Sequence, residues 1–252
     1  MTSILTNNAA TAALQTLRSI SQNMATTQER ISSGARVGSA ADNAAYWAIS
    51  TTMKSDVKAI GAISDALGMG AAKVDTAYAG MDAAIDIVTE IKKKVVAAKE
   101  EGVDKAKIQE EITQLQDQLK AVAVGASFNG ENWLSYEASA GAATGTVVSG
   151  FVRDASGNVS VKTTDYTIDK TSLLFTYTDD TDTPDDDSGI LMDKSTQVKD
   201  STGNDVNAIA ILELDVDGND LDAALSSVEL ALKAMTTAAS KLGSLSSRID
   251  LQ

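Results

Sequence analysis

The sequence contains no cysteine and no histidine. Without a thiol there is no disulfide framework and no thiolate nucleophile. Without an imidazole the Ser-His-Asp and Cys-His hydrolases and the usual zinc sites cannot be assembled. Carboxylate-only or lysine-based chemistry is left, and no constellation of residues suggests it, so the chain reads as a non-enzyme with no cofactor and no metal. Aromatic residues make up only 4% of the chain, too few for rows of rings that stack on bases or sugars. Positive charge is also scarce: the formal net charge is -14, which repels nucleic acid and anionic membrane surfaces alike. No apolar run reaches the roughly 18 residues of a membrane span. The opening MTSILTNNAATAALQTLRS lacks the basic segment and apolar run of a Sec-type signal peptide. On these grounds alone the chain would be placed in the cytoplasm.

What is present falls into three zones. Residues 1 to about 128 are rich in Ala, Ile, Val, Gln and charged residues and contain no proline. Residues 137–216 turn to Thr, Ser, Gly, Asp, Val and Tyr and hold the only proline, Pro184. From about 220 to 252 the Ala/Leu/Ser composition returns. Helix-rich, strand-rich, helix-rich is the order expected of a β insert in an α-helical body. The fold class is therefore mainly α with a small β insert: a long antiparallel coiled-coil-like bundle interrupted by a β region.

The helical zones carry a countable seven-residue repeat. Met53, Val57, Ile60, Ser64, Leu67, Ala71, Val74, Tyr78, Met81, Ile85, Val88, Lys92 and Val95 alternate steps of four and three. A helix of about 45 residues on that stripe is roughly 70 Å long. Ile108, Ile112, Leu115, Leu119, Val122 and Ala126 continue the pattern, with Gly102 as a stop signal and Asp104 as an N-cap between the two segments. A third set runs Leu221, Leu225, Val228, Leu232, Met235, Ala239, Leu242, Leu245 and Ile249. Steady 3.5-residue spacing over three segments predicts a bundle. Leu14, Leu17, Met24 and Ile31 form a thinner stripe, diluted by Ser21 and Gln28, so the first helix needs a partner to stand in water. A flexible break, Ser33 to Ser39, follows it, and Ser39 with Asp42 forms a capping-box pattern for the next helix.

In the middle zone residues 145–152, 158–161, 166–168, 173–177 and 208–214 read as strands, with turn signals at Ser156-Gly157-Asn158 and Ser201-Thr-Gly203-Asn204. Residues 137–215 hold 15 acidic and 5 basic residues, a net of -10 out of the chain's -14, which suits a solvated outer face. Asp179 to Asp187 could collect calcium, but such runs are more often plain acidic loops. Asp215 to Asp220 resembles an EF-hand loop with its glycine misplaced and Ser226 where the closing glutamate belongs. It reads better as a turn that starts a helix, capped by Asn219 or Asp220. Trp47 and Trp133 read as packing anchors.

Two segments carry a family resemblance. Arg30-Ile-Ser-Ser-Gly-Ala-Arg-Val-Gly-Ser-Ala-Ala-Asp-Asn-Ala-Ala-Tyr-Trp-Ala-Ile-Ser50 resembles the N-terminal signature of the bacterial flagellins, and Phe128-Asn129-Gly130 resembles the tripeptide closing that family's first helical region. Ile4 to Ala10 is similar to the family's usual start, and Leu242-Gly-Ser-Leu-Ser-Ser-Arg-Ile249 to its returning helix. Tyr46-Trp47 and Trp133 resemble the rhizobial, α-proteobacterial branch.

The resemblance implies a structural subunit of the flagellar filament, exported by the flagellar type III apparatus without a cleaved signal and located outside the cell. It implies an inner-tube helix and flexible break over 1–40, a helical bundle over 41–136 plus 217–252, and a solvent-facing variable insert over 137–216. Subunit packing is expected to fall on Arg30, Ser33, Gly34, Asp42, Asn43, Ile49, Phe128, Asn129, Gly130, Leu242 and Arg248. Implied partners are further copies of the chain, an export chaperone, the hook-associated junction and cap proteins, and innate immune receptors. Glu90 stands where some flagellins place an arginine that engages an animal Toll-like receptor, so that contact is expected to be weak. The family continues beyond the Arg248 region into a helix that pairs with the first one. This sequence ends at Gln252, so residues 1–38 are expected to lack that partner and to be mobile. A hook-filament junction protein and a surface adhesin that binds cations or glycans through the acidic insert are the competing readings.

Overall fold

A computed structural model describes residues 7–137, 144–177 and 189–252. The acidic run Asp179 to Asp187 lies outside the described residues. By its contacts the chain divides into two units, Met1–Gly61 and Ala62–Gln252.

In the first unit, α1 spans Asn8–Ser33, capped by the Asn7 side chain, which accepts from the amides of Ala9 and Ala10 at 3.1 and 3.2 Å. Gly34, in the left-handed region at φ 65°, ends it. Helix α2 (Ala44–Ala97) begins in this unit. No residue of α1 is buried. Thus the thin stripe read from the sequence is a helix whose apolar side chains face solvent.

The second unit is built on the rest of α2, with α3 (Lys105–Gly125) and α4 (Leu221–Asp250). Helix α4 runs antiparallel to α2 in one register: Asp75 meets Ser246, Gly243 lies against Tyr78, and Lys92–Glu229 and Lys99–Asp222 are ion pairs. The step of twenty-four residues from Asp75 to Lys99, just past the end of α2, is thus matched by twenty-four back along α4. Lys94 and Glu111, 2.5 Å apart, tie α2 to α3. The buried heptad is half of the expected one. Val74, Met81, Val88 and Val95 are buried as expected, but the intervening set is Ala77, Ala84, Ile91 and Ala98, one residue ahead of Tyr78, Ile85 and Lys92. Helix α4 repeats this, with Val228, Met235, Leu242 and Ile249 alternating with Ala224, Ala231 and Ala238. Small residues at alternate core positions let helix backbones approach closely, and the larger Tyr78, Leu225 and Leu232 fall to the flanks.

Among the described residues the strands form four separate two-stranded ladders rather than one sheet. Strands β1 (Ser127–Phe128) and β2 (Glu131–Asn132) make a tight hairpin at the end of α3. β3 (Ser135–Glu137) pairs in parallel with β6 (Phe175–Tyr177). β4 (Thr144–Arg153) and β5 (Val159–Thr167) form the long hairpin, closed at Ser156-Gly157-Asn158 as the turn signal predicts. β7 (Gln197–Lys199) and β8 (Asp205–Asn207) close at the second signal. In both loops an aspartate, Asp154 or Asp200, accepts from amides two and four residues on, and a glycine takes positive φ.

The expected strand over 208–214 is not formed. That stretch is a buried connector with a 3-10 turn at Ile211–Glu213. Its backbone groups find scattered partners: Ala208 N and Ile211 N donate to the carbonyls of Thr196 and Leu191, both at 2.8 Å, Ile209 N donates to Ser227 Oγ of α4 at 2.9 Å, and side chains of α3 serve others. Gln116 donates to the carbonyls of Ile211 and Leu214 at 2.9 and 3.1 Å, while Gln109 accepts from Val216 N at 2.9 Å. With those partners supplied, a neighbouring strand is unnecessary. One continuous apolar core joins the three helices to Val147, Tyr166, Leu173–Phe175, Ile190–Met192 and Ile211–Val216.

Candidate packing surface

The signature Arg30 to Ser50 is a helix–turn–helix connection built from short polar contacts. Ser33 Oγ accepts from Ala35 N at 3.3 Å as Gly34 turns the chain out of α1. Asp42 Oδ2 then accepts from the amides of Gly38 and Ser39 at 3.1 and 3.0 Å. These bonds, that of Ser39 first, hold its carboxyl below the usual carboxylate range, with the Arg30 charge adding a smaller pull in the same direction. Ser39 does not cap α2. Asn43 does, its Oδ1 accepting from Tyr46 N at 3.1 Å, while Asp42 folds back to close a separate turn. Arg30, Ser33, Gly34, Asp42 and Asn43 therefore share one connection, and Ile49 follows it on the exposed part of α2.

Exposed apolar residues dominate this unit. On α1, Leu14, Leu17, Ile20, Met24 and Ile31 are solvent-facing, Leu17 at 61% and Ile31 at 77% exposure. On the first part of α2, Tyr46, Ile49, Met53, Val57 and Ile60 are spaced by three and four residues and are also exposed, Val57 at 68%. Scattered surface apolar residues are ordinary; two helical stripes of them mark a surface built to be covered.

In the second unit, Phe128 ends β1 and Asn129-Gly130 makes the two-residue turn into β2. Asn129 and Gly130 both have positive φ, 52° and 82°, the pattern that favours Asn-Gly in a hairpin matching the strand twist. Leu242 is fully buried in the α4 heptad, whereas Arg248 is exposed and donates to Thr164 Oγ1 of β5 at 3.3 Å. Glu90 is exposed on α2, paired with Lys93 at 2.6 Å, at the edge of an open polar groove of about 780 Å³ between α2 and α3. Asp220 is the N-cap of α4, accepting from the amides of Asp222 and Ala223 at 2.9 and 3.1 Å. Its pKa falls to about 2, chiefly through the Ser201 hydroxyl and then the Ala223 amide.

Sequence reading missed a set of positioning residues. Asn132 donates to the α3 carbonyls of Ala123 and Val124 at 2.7 and 3.1 Å, while its own oxygen accepts from Leu134 N and Ser135 N at 2.8 and 3.1 Å. It thereby caps the C-terminus of α3. Trp133 stacks on Tyr166 with ring centroids 5.5 Å apart. The Tyr166 hydroxyl is buried without a hydrogen-bond partner among the described residues, and burial pushes its pKa up. In the sequence Gln116 keeps the four-and-three spacing between Ile112 and Leu119, beside Leu115, which is half-buried against the core. Nothing local marked Asn132. Among the described residues there is no group of three or more acidic residues able to hold a metal ion, and no helix is long and apolar enough to cross a membrane.

Residues 4–139 match the bacterial flagellin N-terminal helical region. The chain is 66% identical to Flagellin A of Rhizobium meliloti over 181 residues, covering 72% of this chain and 46% of that protein. It is 46% identical to Flagellin C of Rhizobium meliloti (strain 1021) over 268 aligned positions, covering 100% of this chain and 81% of that protein. A crystal structure of Bacillus cereus flagellin aligns at 16% identity with a TM-score of 0.46, over 73% of this chain and 84% of that one. The chain spans about half the length of the first of these relatives.

Proposed function

The chain belongs to the bacterial flagellin family, and from that premise we propose that it is a structural subunit of the flagellar filament, outside the cell, that assembles with further copies of itself. The observation that carries this reading is the contrast between its two units. In the second, a heptad core is closed and buried. In the first, two helical stripes of large apolar residues lie open to solvent. Covering them removes apolar surface from water at about 25 cal/mol per Å², a gain available only when another helix or another copy supplies the cover.

Within this reading residues 1–40 form the inner helix and break, 41–136 with 217–252 the bundle, and 137–216 an acidic, solvent-facing insert. The signature residues divide by role. Arg30, Ser33, Gly34, Asp42 and Asn43 set the angle between α1 and α2. Phe128, Asn129 and Gly130 close the bundle, Leu242 fills it, and Ile49 and Arg248 are offered to neighbours. An export chaperone, hook-associated junction and cap proteins are further partners, and the branch is rhizobial, in keeping with the Rhizobium meliloti relatives. Glu90, an acid held by Lys93, makes a poor site for a receptor that expects a cation there, so reporter cells carrying the animal Toll-like receptor should respond weakly.

Seeded growth tests the main reading. The chain is mixed with short filament fragments and followed by electron microscopy and sedimentation. Incorporation supports a filament subunit; a chain that remains in the supernatant at every seed concentration contradicts it.

A further inference from the structure

The Asn129–Gly130 turn carries a chemical property beyond its geometry. It is the only Asn-Gly pair in the sequence; the other asparagines precede Asn, Ala, Met, Trp, Val or Asp. Both residues are exposed. Neither the Asn129 side chain nor the Gly130 amide has a hydrogen-bond partner among the described residues, because the ladder on either side uses Phe128 and Glu131. Gly130 has no side chain to shield its nitrogen.

We propose that Asn129–Gly130 is a self-modifying site at which the folded chain loses ammonia, and that one of the two products unfastens the end of the helical bundle. The Gly130 backbone nitrogen, giving its proton to solvent base, attacks Cγ of Asn129. The new N–Cγ bond closes a five-membered imide, the Cγ–Nδ2 bond breaks, and ammonia leaves. Water then opens the ring. Attack at Cγ yields an ordinary aspartate in an unchanged backbone. Attack at the backbone carbonyl yields isoaspartate, with the chain rerouted through the side-chain carbonyl and one carbon longer.

The two products differ in their structural effect. Asp-Gly suits the same two-residue turn, so the first is tolerated. The second adds a main-chain atom to a hairpin with only two residue pairs, Phe128–Glu131 and Ser127–Asn132. That hairpin holds two fastenings. Glu131 pairs with Lys73 of α2 at 2.8 Å, and Asn132 caps α3 while holding the Leu134 and Ser135 amides. Trp133 follows directly, stacked on Tyr166. Lengthening the turn shifts Glu131 and Asn132 together and releases contacts to two helices.

The test ages the full chain at mildly alkaline pH, with peptide mapping by mass spectrometry and an isoaspartyl methyl-acceptance assay at intervals. Asn129 should convert ahead of every other asparagine. The purified isoaspartyl chain should lose hydrogen-exchange protection at Leu134 and Ser135 and shift its Trp133 emission. Asn129→Gly, which fits positive φ, should show neither conversion nor drift. Asn129→Asp should keep full protection, separating added charge from added length. The proposal is overturned if another asparagine converts first, if the isoaspartyl chain keeps native protection, or if Asn129→Asp alone loses it.

Discussion

Gly145 of β4 lies flat against the indole of Trp133: a β-carbon at that position would sit 2.7 Å from both Cε2 and Cζ2 of the ring. The ring it supports stacks on Tyr166 of β5, so this glycine and aromatic pair help seat the long hairpin on the bundle, beside Val147, which packs on Gly70 of α2. Gly145→Ala should displace Trp133 and cost about 1–3 kcal/mol, the usual range for overpacking. In a Trp47→Phe background, the emission of Trp133 reports the displacement and thermal unfolding reports the loss. An unchanged spectrum and midpoint would show that the hairpin is seated elsewhere.

The glutamine clamp gives a second expectation. Gln116→Leu keeps the volume nearly constant but leaves the carbonyls of Ile211 and Leu214 short of a donor in a buried place. Stranding such groups costs about 1–3 kcal/mol. Gln109 still reaches Leu214 at 3.2 Å, so the loss should sit near the lower end for the single variant and grow in Gln109→Leu/Gln116→Leu. Urea unfolding of the three chains measures it.

Acid should act through the α4 cap. Asp220 has its pKa lowered from 3.8 to about 2, so its contribution is present above the ordinary value and is lost as pH falls from about 4 through about 2. Asn is a good N-cap without a titrating group. Asp220→Asn should therefore differ from the natural chain most at pH 5 and least near pH 2, as read by urea midpoints. A gap that widens with acid would reverse the sign and refute the assignment.

Core and surface methionines should separate. Met81→Ala opens a cavity at a fully buried heptad position and should cost about 2–5 kcal/mol. Met53→Ala, at a position 62% exposed, should leave the stability of the isolated chain within about 0.5 kcal/mol. Equal losses would mean that the first part of α2 is covered in the isolated chain.

That contrast also marks what the sequence made legible. Period and composition were enough to place three helices and to mark the loops of β4–β5 and β7–β8, because a heptad stripe and an Asx turn are local properties. The buried phase was half visible: Val74, Met81, Val88 and Val95 announce themselves, but the alanines between them are too small to outrank Tyr78 or Ile85 in a reading by hydropathy. Which side of a helix is buried depends on how closely its neighbour can come, and that is settled by packing. Residues 208–214 looked like a strand for the same reason: an apolar run shows that a segment is buried and says nothing of which groups meet its backbone. The Arg30 to Ser50 signature was visible as a motif, yet the identity of the cap, Asn43 rather than Ser39, turned on the Asp42 carboxylate folding back onto the Gly38 and Ser39 amides.

The central claim is that the open stripe on α2 is an assembly surface. The most direct measurement compares seeded incorporation of the natural chain with that of Met53→Ser/Val57→Ser/Ile60→Ser, by sedimentation with filament fragments, after circular dichroism has shown equal helix content. The account predicts that the natural chain enters the pellet with the seeds and the triple variant, folded, stays in solution. Incorporation of the variant as complete as that of the natural chain would contradict it.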